Sequence, residues 1–253
     1  MKTTKINNHN VEIFDSIDEL PIRRFQKYNK YMLIDSGVGS DIQDIIDHIE
    51  KAKIYIKANP NMAYIELENM RQAIYLVAEE ISPKYMAFAV LVNKIDGETM
   101  DDLTDAGLRH VLDLLQDVKQ TWIDRVLNSV KKKIDTELSL YFPGKFEDAT
   151  IKEYYDQLRS HTLLKLKHII TGTDVDLACK EIEIRLALLI RPRLFSGAKS
   201  AEICYDKEFE EMCLILTQNL QVQPQRMTVL QFYNAFEYLK KEAKKRKAQN
   251  KRK

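Results

Sequence analysis

Two glycines raise the first chemical question. In "YMLIDSGVGSDIQDIIDHIEK", Tyr31 to Lys51, an apolar run enters Gly37-Val38-Gly39 and a strongly periodic segment follows. That is the outline of a phosphate-cradling strand–loop–helix. The residue types do not complete it. A P-loop carries Lys-Ser/Thr after its glycines, so that backbone N–H groups and a cation meet the phosphates; here Gly39 is followed by Ser40-Asp41. A dinucleotide fingerprint needs a third glycine for close helix–strand packing, and Ile42 holds that position. Asp41 and Asp44 would set negative charge beside any phosphate. The run before the glycines also continues a helical period from Ile22. The stretch reads as a corner: a helix ends at Gly37, and Ser40 caps the next, with Gln43 three residues on as in a capping box.

Metal and nucleophile chemistry find no better footing. His9, His48, His110, His161 and His168 form no HExxH and no i, i+4 pair, so no metal site is expected. Asp174 and Asp176 in "TGTDVD", and the group Asp101, Asp102 and Asp105, sit where helices begin. Acidic side chains there complement the helix dipole and cap free N–H groups. Cys179, Cys204 and Cys213 are an odd set without CxxC, and Cys213 lies between Met212 and Leu214. Such thiols are usually reduced and mostly buried in a core. There is no GxSxG elbow. The sequence points to no catalytic residue and no cofactor, and the expectation is that the chain is not an enzyme.

The strongest charge feature is the C-terminal "KKEAKKRKAQNKRK", residues 240–253. It carries nine Lys/Arg (Lys240, Lys241, Lys244, Lys245, Arg246, Lys247, Lys251, Arg252 and Lys253) against one Glu, a local charge of +8. The whole chain is +1, so the rest is −7: an acidic body with a basic tail. Clustered cations gain affinity for nucleic acid by displacing condensed counterions. No aromatic residue follows Tyr238, so bases would find no stacking platform and contact would be non-specific. The same cations suit a solvated helix end near its negative dipole pole, or an acidic surface on a neighbouring subunit.

Long helices must position these features. The chain has 253 residues, 45% apolar, with 7 Gly and 6 Pro; so few turn-formers favour long helices over many short strands. "TTKINNHNVEIF" is the exception, two short runs at Thr3–Ile6 and Val11–Phe14 that read as a hairpin or an arm. Pro21 suits a first helical turn, and Ile22, Phe25, Tyr28 and Met32 follow at helical spacing. Ile42, Ile45, Ile46, Ile49 and Ala52 form the next stripe. After a break at "ANPN" (58–61), Leu67, Met70, Ile74, Val77 and Ile81 repeat at steps of three and four, the seam spacing of packed helices. "KYMAFAVLVNKI" fits a buried helix or a strand, and "DGET" (96–99) a turn. One helix is expected from about Asp105 to Tyr141, buried along Leu108, Val111, Leu115, Val118, Trp122, Val126, Val130, Ile134 and Leu138, reaching roughly 50 Å. "FPG" (142–144) ends it. Further helices are expected near 149–170, 175–190, 206–220 and 228–247, the last capped by Thr228, and "RPRLFSGAKS" (191–200) as an exposed loop.

The expected fold is therefore mainly α: a bundle of long amphipathic helices with a short N-terminal β-hairpin or arm and a basic C-terminal helical tail. Its parts are residues 1–20, 21–142, 143–239 and 240–253, with one domain overall also open. "MKTTKINNHN" lacks the apolar core of a secretory signal. No run approaches the ~20 apolar residues that span a bilayer, so no membrane partner is expected.

Taken together, "ELPIRRFQKYNKYMLIDSGVGSDIQDIIDHIEKA" and the terminal "MTVLQFYNAFEYLKKEAK" resemble virion structural proteins of crAss-like bacteriophages, the short-tailed phages of gut Bacteroides. In those phages, ring proteins stack below the portal to form a multi-ring tail barrel. The resemblance runs over most of the chain through the order and character of its segments, with no short invariant motif. It implies a mainly helical subunit of a homo-oligomeric, dodecameric ring around the DNA path, touching the portal, further ring proteins or the outer tail. It implies a place in the virion tail after synthesis in the host cytoplasm, and it brings no catalytic residues. Two other readings stand beside it: a tail-assembly chaperone or scaffold, and a non-specific nucleic-acid-binding protein working through the basic tail.

Overall fold

The computed structural model describes residues 1–115, 118–143, 149–189 and 192–250. The chain is mainly helical, with a small antiparallel sheet that contributes to the core. β1 (Lys2–Ile6) and β2 (His9–Ile13) form the N-terminal hairpin, in register Lys2 to Ile13 and Ile6 to His9. Asn7 turns it with φ 51°, a left-handed conformation that Asn tolerates better than most residues. β3 (Val92–Ile95) and β4 (Glu98–Thr99) extend the sheet in the order β1-β2-β3-β4.

Ten α-helices are described. α1 (Ile22–Gly37) follows the hairpin, with Pro21 as its N-cap rather than in its first turn. α2 (Ile42–Ala58) and α3 (Pro60–Ala78) form a helical hairpin across Asn59, which ends one helix and caps the next by accepting from the Met62 amide. The ambiguous segment is both things expected of it: α4 (Pro83–Leu91) runs directly into β3. The carbonyls at that switch need partners from outside the segment. Arg24 supplies them. Its buried guanidinium donates to Val90 O and Val92 O at 2.8 Å each and also to Met100 O, while lying 5.3 Å from the Phe14 ring centroid.

The expected long helix is two helices, α5 (Asp105–Leu115) and α6 (Gln120–Tyr141). Distant side chains hold the break: Asn7 Nδ2 donates to Leu115 O at 2.8 Å and Tyr85 Oη to Val118 O at 3.2 Å. Lys119 is extended and restarts the chain as the α6 N-cap. The break rotates the buried face. Ile123 and Leu127 are fully buried, whereas Trp122 and Val126 only flank the core. α6 is thus about 33 Å long, not 50 Å.

α7 (Ala149–Thr171) and α8 (Asp176–Leu189) form a second helical hairpin. α9 (Ala201–Leu220), a single 3-10 turn (Pro224–Arg226) and α10 (Val229–Asn250) complete the chain. Thr228 caps α10 as expected: Gln231 N donates to Thr228 Oγ1 at 3.4 Å, and Thr228 N to the Gln231 side chain at 3.1 Å. One core joins the sheet, α1, α4, α5, α6, α9 and α10, with Val11, Phe88, Leu115, Leu216 and Val229 at its dry centre. A small satellite core of Val38, Ala73, Leu76 and Phe195 seats the α2–α3 hairpin.

Candidate functional site

The glycine corner is a corner. α1 ends at Gly37, and an added Cβ there would meet the Phe195 ring at 2.2 Å, so that position admits only hydrogen. Gly39 takes φ +68°, the left-handed conformation that glycine adopts without a steric cost. The next N-cap is Asp41, one residue after the expected Ser40, and the capping box closes through Asp44 rather than Gln43. Ser40 N and Asp41 N donate to Asp44 Oδ2 at 2.8 and 3.0 Å, and Asp44 N to Asp41 Oδ1 at 2.9 Å. The amides that would face a phosphate already hold a carboxylate of the chain itself.

The other candidate side chains are joined in structural pairs. His9 lies 2.6 Å from Asp96 and ties the hairpin to the β3–β4 turn. His161 lies 3.0 Å from Glu183 and links α7 to α8, and His168 Nδ1 bonds Thr173 O at 2.7 Å. Asp102 accepts from Thr104 N at 2.8 Å and Asp174 from Asp176 N at 3.0 Å, both closing helix-entry turns. Asp105 accepts from Tyr31 Oη and Lys27 Nζ at 2.8 and 3.1 Å. Cys179 and Cys213 are buried, and burial pushes the Cys213 thiol up to about 11. Cys204 is exposed, and the other two are buried as expected of most of the set. Cys204 stands on the outer side of α9, one turn into the helix.

The basic tail is the last stretch of α10. Lys240, Lys241, Lys244, Lys245 and Arg246 are exposed there, and Lys245 bridges Glu242 at 2.9 Å. The Lys247 side chain and residues Lys251, Arg252 and Lys253 lie outside the described set. Lys240, Lys241, Lys244 and Lys245 share one broad face of α10, an arc of about 140°, and Arg246 stands about 100° beyond it.

What the structure brings together is apolar. In α3 the seam seen in the sequence faces outward: Leu67 and Ile74 are exposed and Met70 and Val77 only half-buried, with Tyr64 and Tyr75 exposed beside them. The buried face is Ala63, Glu66, Asn69, Ala73 and Leu76, small or polar for the most part. Two polar arrangements explain this. His48 of α2 is buried, with Nδ1 2.6 Å from Glu66 Oε2 and Nε2 2.9 Å from Val38 O. Asn69 donates to Arg193 O at 2.8 Å and accepts from Phe195 N at 3.2 Å. Buried polar groups with both ends satisfied bind firmly, and they turn the more apolar face to the outside. α2 repeats the pattern: Ile42, Ile46, Ile49 and Ile56 form an exposed stripe, with Ile42 at 70% exposure.

The α7–α8 hairpin goes further. Its helices pack mainly on each other. Leu163, Leu166 and Ile170 recur on α7 at steps of three and four, all exposed, Ile170 by 80%. On α8, Leu177 is 76% exposed. Exposed apolar surface of this kind is unusual on a monomeric protein. The sequence held the α3 seam plainly but not its direction: Asn69 reaches partners 124 and 126 residues on, and His48 pairs across the hairpin with Glu66, 18 residues away. For α7 and α8 no sequence signal tells an apolar arm from a core helix.

No protein-family model matches the chain, no curated protein matches it, and no solved structure matches it.

Proposed function

We propose that the chain is a structural, ring-forming subunit of a phage virion, part of the tail barrel or head–tail connector around the DNA path. One observation carries the assembly reading: two helical hairpins expose apolar stripes at helix-packing spacing while the main core is complete without them. A monomer leaves these stripes in water at roughly 25 cal/mol for each Å² that a neighbour could cover. The virion setting rests on the segment resemblance described above. A ring needs two different surfaces per subunit, each complementary to the other, and two separate hairpins are such a pair. The basic end of α10 then serves a neighbouring acidic subunit or the phosphates of passing DNA.

Two measurements test the proposal. Native mass of the full-length chain should give a closed oligomer; a monomer contradicts the ring. Mass spectrometry of purified virions should find the chain at the stoichiometry of a tail component. Its absence from mature particles favours the assembly chaperone.

A further inference from the structure

We propose that the ring contact is heterologous and specific: the α7 face of one subunit's α7–α8 arm docks on the outward α2–α3 seam of a second copy. The inference rests on the ring reading and assigns its interface. Three observations select this pairing. Both surfaces are exposed, and both repeat apolar residues at steps of three and four, Leu67, Met70 and Ile74 on α3 and Leu163, Leu166 and Ile170 on α7. That spacing lets the side chains of one helix enter the gaps of another. Their charges are opposite. Leaving aside Glu66, which is buried against His48, residues 41–80 carry seven acids and four Lys/Arg, a net −3, whereas residues 149–171 carry four Lys/Arg and two acids, a net +2. Lys165 and Lys167 flank Leu166, while Glu68 beside Leu67 already bridges Arg71 at 3.0 Å on its own helix, so the charge contrast lies in the two hairpin surfaces as wholes and not in pairs at the rim.

The same observations disfavour the other occupants. Seam on seam would set −3 against −3, a like-charge contact. The end of α10 carries charge but no apolar residue larger than alanine beyond Leu239, so it cannot fill an apolar seam. α8 (residues 176–189) is net −1, which leaves α7 as the face of the arm that turns to the seam. A contact of this kind uses different surfaces on its two sides. It therefore continues from subunit to subunit until the ring closes.

The test uses the full chain with two charge-introducing variants, Leu67→Glu/Ile74→Glu on the seam and Leu163→Glu/Leu166→Glu on the arm. All four positions are exposed, and circular dichroism verifies the fold of each variant. In native mass and light scattering the wild type should be a closed oligomer. Each variant alone should be monomeric, its self-association weakened at least ~30-fold, the loss of one interface hot spot. A mixture of the two variants should form a heterodimer and nothing larger, because one intact arm and one intact seam remain. A seam variant that dissociates beside an arm variant that does not identifies seam-on-seam pairing and overturns the proposal. So does a mixture that fails to pair, and so does a wild-type oligomer that both variants retain; neither of these touches the ring reading. A monomeric wild type overturns the ring reading together with the interface.

Discussion

Replacing Glu66 by leucine tests why the apolar seam of α3 faces outward. Glu66 and His48 are both about 5% exposed in their side chains, and their contact is 2.6 Å. The leucine removes the acceptor on Nδ1 and leaves a buried imidazole with one ring nitrogen unmatched. Leaving a buried polar group without its partner costs about 1–3 kcal/mol. The contact is short and both side chains are buried, which places the expected loss at the upper end, about 3 kcal/mol. With a urea m-value of about 3 kcal/mol/M for a chain of this size, the midpoint should fall by roughly 1 M. Glu66→Gln keeps an acceptor without the charge and should lose about half as much. Amide hydrogen exchange should show the loss concentrated in α2 and α3, since these helices rest on the small satellite core. A midpoint shift below about 0.3 M for Glu66→Leu refutes the reasoning. The pair would then be incidental, and the outward seam would need another cause.

Further outcomes follow from the same geometry. Arg24→Met removes three donors from the carbonyls of Val90, Val92 and Met100 and should destabilise by at least ~3 kcal/mol in urea unfolding; Arg24→Lys, with no planar fork, should recover only part of it. Gly39→Ala combines a φ of +68° with a Cβ 2.0 Å from Asp44 Cγ and should cost about 2 kcal/mol through strain and a displaced cap. Burial, with Asp44, Asp124 and Asp41 adding to it against Lys84, pushes the Asp35 carboxyl up to about 6. The folded state therefore holds this proton more tightly than the unfolded chain. Its contribution to stability is full below pH ~4 and is lost as pH rises through ~6. Asp35→Asn should match the wild type at pH 4 and exceed it at pH 8 by about 1–2 kcal/mol, after discount for partial exposure. An advantage equal at both pH values contradicts this. Deleting residues 240–253 should leave the melting temperature unchanged and impair incorporation into particles; normal particles from the truncated chain contradict a role for the tail.

Helical periodicity and capping carried most of the architecture. Asn59, Thr228 and the glycines of the corner announce their turns through local chemistry. Structure departs from local pattern where distant groups decide. The stretch from Asp105 to Tyr141 has no proline and a continuous apolar period, yet Asn7 and Tyr85 hold its carbonyls at a break. Asp41 displaced Ser40 as cap because Asp44, not Gln43, answers it from the third position. The helix-to-strand switch after Leu91 depends on Arg24, 66 and 68 residues before the carbonyls it serves. The candidate site was half legible. Its apolar spacing is in the sequence, but its direction depends on two buried polar anchors that no local pattern links to it.

The most direct test of the central claim is the native mass of the full-length chain at physiological ionic strength, read with its stoichiometry. A closed oligomer is expected, with twelve copies if the likeness to phage ring proteins extends to copy number. A monomer at every accessible concentration would contradict it, since the apolar stripes of α3 and α7 would then have no counterpart in the chain itself.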